Sequence, residues 1–221
     1  MDYARLVPDL QLIAMPQGLV LYKSGADMHY VYFPTTSIVS LTYVMNNGAT
    51  GETAVTGNEG VVGIGLFMGG DSSHCQAVVQ SAGEGYRLHA NILRREFARG
   101  SQLQYLALRF AQSLIVQMSQ TAACNRHHTV DQQLCRLLLL SLDRLSTNEL
   151  VMTHELIANM LGVRREGVTE AANKLQQDGM ISYRRGHIAV VDRRKLEKRV
   201  CECYAVVKKE YDRLLYPSQQ L

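Results

Sequence analysis

The stretch His154–Asn173, HELIANMLGVRREGVTEAAN, reads as a helix, a sharp turn and a second helix. Ile157, Ala158 and Leu161 share one helical face. Gly162 then interrupts the pattern where the chain needs a positive φ, a conformation that costs glycine no Cβ clash. Val163, Val168 and Ala171 restart an apolar face, and Ala158 is small where the two helices must approach. Thr153 is a good N-cap for the first helix, and His154 follows it. Arg164, Arg165 and Glu166 open the second helix, which carries Thr169, Glu170, Asn173 and Lys174 outward. A helix-turn-helix of this kind lays its second helix in the DNA major groove, with the first residues of that helix at base edges. An ordinary helical hairpin shares the gross pattern, so the residues that follow matter.

After Gly179 come two short strand-like runs, Met180–Arg185 and His187–Val191, around an Arg184-Arg185-Gly186 tip. This is the pattern of a β-hairpin wing. A wing tip lies near the phosphate backbone, where paired arginines add attraction that does not depend on sequence. Charge points the same way. From Leu150 onward there are 13 Lys/Arg and 9 Asp/Glu, net +4, against 10 and 11, net −1, before it. The expected DNA-binding set is therefore Thr153, His154, Arg164, Arg165, Glu166, Thr169, Glu170, Asn173, Lys174, Arg184 and Arg185, facing double-stranded DNA.

Working outward, the 221 residues with 47% hydrophobic content suffice for two cores. No apolar run reaches the length of a membrane span, and the first residues lack an apolar signal segment. Five cysteines without a secretion signal read as reduced thiols, and a cytoplasmic location is expected. From about Leu10 to Ala90, β-branched and aromatic runs alternate with glycine-containing turns. These runs are Gln11–Met15, Leu19–Tyr22, Tyr30–Phe33, Ile38–Met45, Glu52–Thr56, Gln76–Gln80 and Gly85–His89. Asn47-Gly48 is a strong hairpin signal, and the whole argues an antiparallel sandwich or jelly roll. From Ser101 to Arg126 the period becomes helical. Leu103, Leu106, Ala107, Phe110, Leu114 and Met118 lie on one flank, and Ala111, Ile115 and Ala122 on a second. A two-flanked helix has two neighbours, here the barrel and the same helix of a second copy. Leu103, Phe110, Leu114 and Met118 are the expected dimer contacts; burial within one subunit is the alternative. A further helix, Val130–Leu145, leads into the DNA-binding module, and a last one is expected over Arg193–Leu215. The expected fold is α+β. It comprises a jelly roll over 1–100, a long dimerisation helix over 101–128 and a winged helix-turn-helix with a C-terminal helix over 129–221.

This order of parts resembles the cyclic AMP receptor / fumarate-nitrate regulator (Crp/Fnr) family of bacterial transcription factors. The resemblance rests most on Met152–Asp192 and on the Gly63–Gly70 loop, GIGLFMGG, with support from Tyr30–Phe33 and Glu59–Gly63. It implies a cyclic-nucleotide-binding-like barrel that senses a signal, a homodimer, a palindromic operator and RNA polymerase as a partner. Departures narrow this. The carboxylate that grips the ribose in nucleotide-binding members aligns with Gly63, and the arginine that grips the cyclic phosphate aligns with Ser72. A buried phosphate without a cationic partner is strongly disfavoured, so cyclic AMP control is not expected and the effector is unassigned. No cysteine precedes Cys75, so the N-terminal iron–sulfur device of oxygen-sensing members is absent. In the reading helix, Arg165 and Glu166 match the family's Arg-Glu pair and Thr169 matches its serine, but Glu170 stands where an arginine is usual. The operator should therefore differ from the family's common one.

Cysteine chemistry is the remaining possibility. Cys124 with His127 and His128, and Cys201-x-Cys203, are candidates for a metal or redox role, together with Cys135. Cys201 and Cys203 lie about 200° apart on an ideal helix, a poor chelate unless the helix breaks. Core packing is the expectation, and no metal or cofactor is assigned. Enzyme chemistry is not expected either. His29, His74 and His89 are scattered, without the HxH spacing of metal-dependent jelly rolls, and no phosphate loop or nucleophile elbow occurs. A cyclic-nucleotide-, redox- or metal-responsive regulator and a protein-interaction scaffold that uses the barrel remain alternatives.

Overall fold

The computed structural model describes residues 2–216. A short helix α1 (Asp2–Leu6) precedes seven strands, β1 (Gln11–Met15), β2 (Val20–Tyr22), β3 (Tyr30–Pro34), β4 (Ile38–Val44), β5 (Thr50–Thr56), β6 (Cys75–Ser81) and β7 (Gly83–His89). They pair antiparallel into two sheets, β1-β7-β3 and β2-β6-β4-β5. Met15, Val31 and Leu88 of the first sheet and Val39, Leu41, Ala77 and Val79 of the second are buried. The β4–β5 hairpin turns at Asn47-Gly48, where the Asn47 carboxamide accepts from the Ala49 amide. β4 does not alternate as a half-exposed strand would. Ile38, Val39, Ser40 and Leu41 are all buried, because helices cover the other face of this sheet.

α2 (Ala90–Phe97) closes the barrel and α3 (Gln102–His127) leaves it. The 26 residues of α3 span about 39 Å. α4 (Val130–Leu142) starts after a Thr129 capping box and buries nearly its whole circumference, including Leu134 and Leu137–Leu140. The C-terminal module continues with β8 (Glu149–Val151), α5 (His154–Leu161), α6 (Arg165–Gln177), β9 (Ile181–Arg184) and β10 (His187–Val190). Its sheet has the order β8-β10-β9, so the wing has a third strand that its short, polar-flanked sequence did not announce.

The expected helix over Arg193–Leu215 is two helices, α7 (Arg193–Arg199) and α8 (Glu202–Leu215). Val200 and Cys201 are extended, with ψ of 153° and 165°. α8 folds back along α3. The core is continuous from barrel to winged module. Gln17 Nε2 donates to the Val151 carbonyl (2.8 Å) and Gln80 Nε2 to Ser141 Oγ (3.2 Å), tying the two together. No described helix is long and apolar enough to cross a membrane.

Candidate nucleic-acid interface

The helix-turn-helix is built as its sequence dictates. Thr153 Oγ1 accepts from the Leu156 amide (3.1 Å) and starts α5. Gly162 ends it in the left-handed region at φ 66°. Ile157, Ala158, Leu161, Val168 and Ala171 are buried, and Val163 is half-buried. That burial fixes α6 with its polar face outward. Arg164, Arg165, Glu166, Glu170, Asn173 and Lys174 are exposed on or beside α6. Around this helix the ion pairs run from Lys174 (3.8 Å) and Arg199 (2.7 Å) to Asp131. Among the described residues none involves Arg164, Arg165, Glu166 or Glu170. Two guanidinium groups at the head of α6 are therefore free of carboxylates, and the positive end of the helix dipole adds to their field.

Two residues of the expected set also make contacts inside the module. Thr169 Oγ1 donates to the Arg165 carbonyl (3.1 Å), so its lone pair accepts from His154 Nδ1 (3.0 Å). The His154 ring stacks on Tyr183 of the wing at 4.2 Å. Burial, then the nearby Arg165 charge, lower the His154 pKa below the usual histidine value, which keeps the ring neutral at pH 7. His154 and Thr169 thus lock α5, α6 and the wing into one unit. Gln176 adds to this by accepting from the Tyr183 amide (2.7 Å).

The wing tip is a two-residue turn between Arg184 and His187. Both Arg185 and Gly186 have positive φ, 49° and 83°, as a twist-matched hairpin turn requires. The Gly186 carbonyl accepts from the Met152 amide (2.8 Å), anchoring the tip to the head of α5. Arg184 and Arg185 are exposed. The interface therefore presents four arginines in two groups, at the start of α6 and at the wing tip, none of them ion-paired among the described residues.

The expected dimer residues are placed unevenly. Phe110 and Leu114 are buried within the chain at 3% and 1% exposure. The Phe110 ring lies so close over Gly60 that a Cβ there would fall 2.0 Å from Cε2, and it meets Tyr211 of α8 edge-on. Gln117, in the same row, bonds both the amide and the carbonyl of Val55, each at 3.0 Å. Leu103 and Met118 are half-buried. The outward row of α3 is Tyr105, Leu108, Gln112, Ile115, Ser119 and Ala122, all exposed and alternating three and four residues apart. Sequence period alone separated two flanks, and it did not say which one α8 would cover.

In the barrel, Gly63 has φ 104°, a left-handed conformation in which any side chain is strained. The following loop presents an anion, Asp71, ion-paired to Arg94 of α2. Arg94 is the cation near the loop that the sequence did not reveal. Phe67 of the loop stacks on Phe97 at 5.2 Å. Three of the four cysteines outside the barrel gather with a histidine. Cys124, His128, Cys201 and Cys203 place their ligand atoms within 4.8 Å of one another, because the break before α8 removes the helical divergence of the last two.

Residues 132–199 match the Crp-like helix-turn-helix domain model. The chain carries a Crp-like helix-turn-helix domain. The Crp/Fnr fold extends over nearly all the described residues. A Crp/Fnr-family protein from Eubacterium rectale superposes with a TM-score of 0.71 at 16% identity, covering 90% of this chain and 93% of that one. FixK2 from Bradyrhizobium japonicum gives 0.71 at 16% identity, with 87% and 98% covered. The c-di-GMP-responsive global regulator CLP of Xanthomonas campestris gives 0.66 at 16% identity, with 86% and 97% covered. No curated protein sequence matches the chain.

Proposed function

We propose that the chain is a sequence-specific, DNA-binding transcriptional regulator that acts as a homodimer and does not respond to cyclic AMP. The observation that carries this is the pair of unneutralised arginine groups, Arg164-Arg165 on α6 and Arg184-Arg185 at the wing tip, held on one rigid module. Arg165 reads bases; Arg164, Arg184 and Arg185 hold phosphates. Asn173 and Glu170 lie further along the same exposed face and add base contacts. The two copies meet along the outward row of α3, which sets two such modules on a two-fold axis.

The test is binding to DNA selected from a random pool, measured over a range of salt. Affinity is expected to fall linearly on logarithmic axes as phosphate neutralisation releases counterions. Arg184→Ala should weaken all sequences alike and reduce the salt slope by about one. Arg165→Ala should cost about 1–3 kcal/mol and relax the preference at its base position. A salt-independent affinity, or no preferred sequence in the selected pool, would count against the proposal.

For the barrel, the supporting observations are the left-handed Gly63 and a loop whose Asp71 holds the nearby Arg94. A cyclic phosphate entering there meets an anion, and the adjacent guanidinium is already engaged. Operator affinity is expected to be the same with and without cyclic AMP. Calorimetric binding of cyclic AMP at about micromolar Kd would overturn this part.

A further inference from the structure

We propose that Cys124, His128, Cys201 and Cys203 form a four-coordinate zinc site that staples the end of α3 to the start of α8. The inference stands apart from the DNA-binding proposal and does not depend on it.

Geometry carries the argument. Cys124 and His128 are four residues apart, so they share one face of the last turn of α3. Cys201 caps α8 from an extended backbone, and Cys203 sits in the first turn. Cys124 Sγ lies 3.6 Å from Cys201 Sγ, and Cys203 Sγ lies 3.6 Å from His128 Nδ1. A tetrahedron with zinc–sulfur bonds of about 2.3 Å and a zinc–nitrogen bond of about 2.05 Å has edges of about 3.8 Å and 3.6 Å. The set is therefore spaced for one ion without rearrangement of the backbone. Three thiolates and one imidazole suit zinc, and four protein ligands leave no open position, the hallmark of a structural site.

The surroundings fit the same chemistry. The three cysteines form a small cluster apart from the main core, with exposures of 0%, 4% and 2%. His128 turns its other nitrogen, Nε2, to a Glu202 carboxylate oxygen at 3.3 Å. A carboxylate on the far nitrogen of a ligating histidine fixes its tautomer and raises its basicity. Three thiolates around a dication leave one net negative charge. The buried Arg136, bonded to Thr121 one turn before Cys124, supplies a nearby positive charge, and its Nε has no partner. Cys75 and Cys135 lie outside the cluster.

The position gives the site a consequence. His128 and Thr129 are the passage from α3 into the winged module, and Cys201 follows the helix after the wing. A bound ion fastens both ends of that module to the long helix. Loading with zinc is expected to raise Tm and set the module's orientation, and loss of zinc to free the hinge.

The experiment is elemental analysis of the full chain purified anaerobically, followed by cobalt substitution. About one zinc per chain is expected, and the cobalt form should show thiolate-to-cobalt charge transfer and the strong ligand-field bands of a tetrahedral site. His128→Ala and Cys203→Ala should each lower bound metal at least about tenfold, and Glu202→Gln should weaken affinity about tenfold. Cys75→Ser and Cys135→Ser should retain full loading. Cobalt titration of the unmodified chain keeps the test valid where a variant fails to fold. Metal-free chain with no thiolate–cobalt band, unchanged loading in both ligand variants, or a Cys124–Cys201 disulfide in the anaerobic protein would each overturn the proposal.

Discussion

Ile115→Glu is expected to convert the chain to a monomer and to weaken operator binding by about 10²–10⁴-fold, the gain that linking two binding modules ordinarily provides. Ile115 is 46% exposed near the middle of α3, and Leu108, one heptad before it, is 50% exposed. With Tyr105, Gln112, Ser119 and Ala122 they form an outward row with the alternating three- and four-residue step of a two-stranded seam. Small residues toward the C-terminal end, Ser119 and Ala122, let two helices approach closely. In the proposed homodimer, a glutamate at the centre of that seam is stripped of water beside its own symmetry mate, so two like charges meet. Sedimentation velocity reads the assembly and gel shift reads the affinity. Leu108→Glu should act in the same way, whereas Gln102→Glu, at the exposed start of the helix, should leave both unchanged. A dimer that survives both central charges would move the interface off α3.

The same helix shows how far sequence carries and where it stops. The period of Leu103–Met118 established a helix with two apolar flanks, and the structure has one. Phe110 and Leu114 are among the contacts that the sequence assigns to a second copy. They face inward because α8 returns along α3 and Tyr211 meets Phe110, a contact between residues 101 positions apart that no local pattern encodes. The helix-turn-helix was legible for the opposite reason. Thr153, Gly162, Val168 and Ala171 are each fixed by their near neighbours, and the local rules for caps and turns suffice. The stacking of His154 on Tyr183 across the wing is again a long-range pairing that no local pattern encodes. The cysteines illustrate a third case. Their convergence turns on a helix break at Val200–Cys201, where neither proline nor glycine marks the stop.

Glu59→Gln is expected to lower Tm by about 10 °C, the equivalent of about 3–5 kcal/mol at the slope usual for a chain of this size. Glu59, in the loop after β5, meets Arg144 Nε at 2.8 Å, with side-chain exposures of 6% and 5%. The second carboxylate oxygen accepts from the Gly57 amide at 3.1 Å, and Arg144 Nη1 donates to the Leu140 carbonyl. The guanidinium also stands 5.3 Å from the Tyr211 ring centroid. The pair thus joins barrel, α4 and α8 at one buried point. Replacing the carboxylate with an amide keeps the shape and the hydrogen-bonding capacity but strands a guanidinium that water barely reaches. Removing one member of a buried pair costs far more than the pair itself is worth, because the uncompensated charge pays the desolvation alone. The control follows from that asymmetry. Glu59→Gln combined with Arg144→Met should recover most of the lost stability, since no buried charge is left. Thermal unfolding of the single and double variants reads both numbers. A single variant that loses no more than about 2 °C would mean that Arg144 reaches water when its partner is gone, and that the pair is not what fastens barrel to winged module.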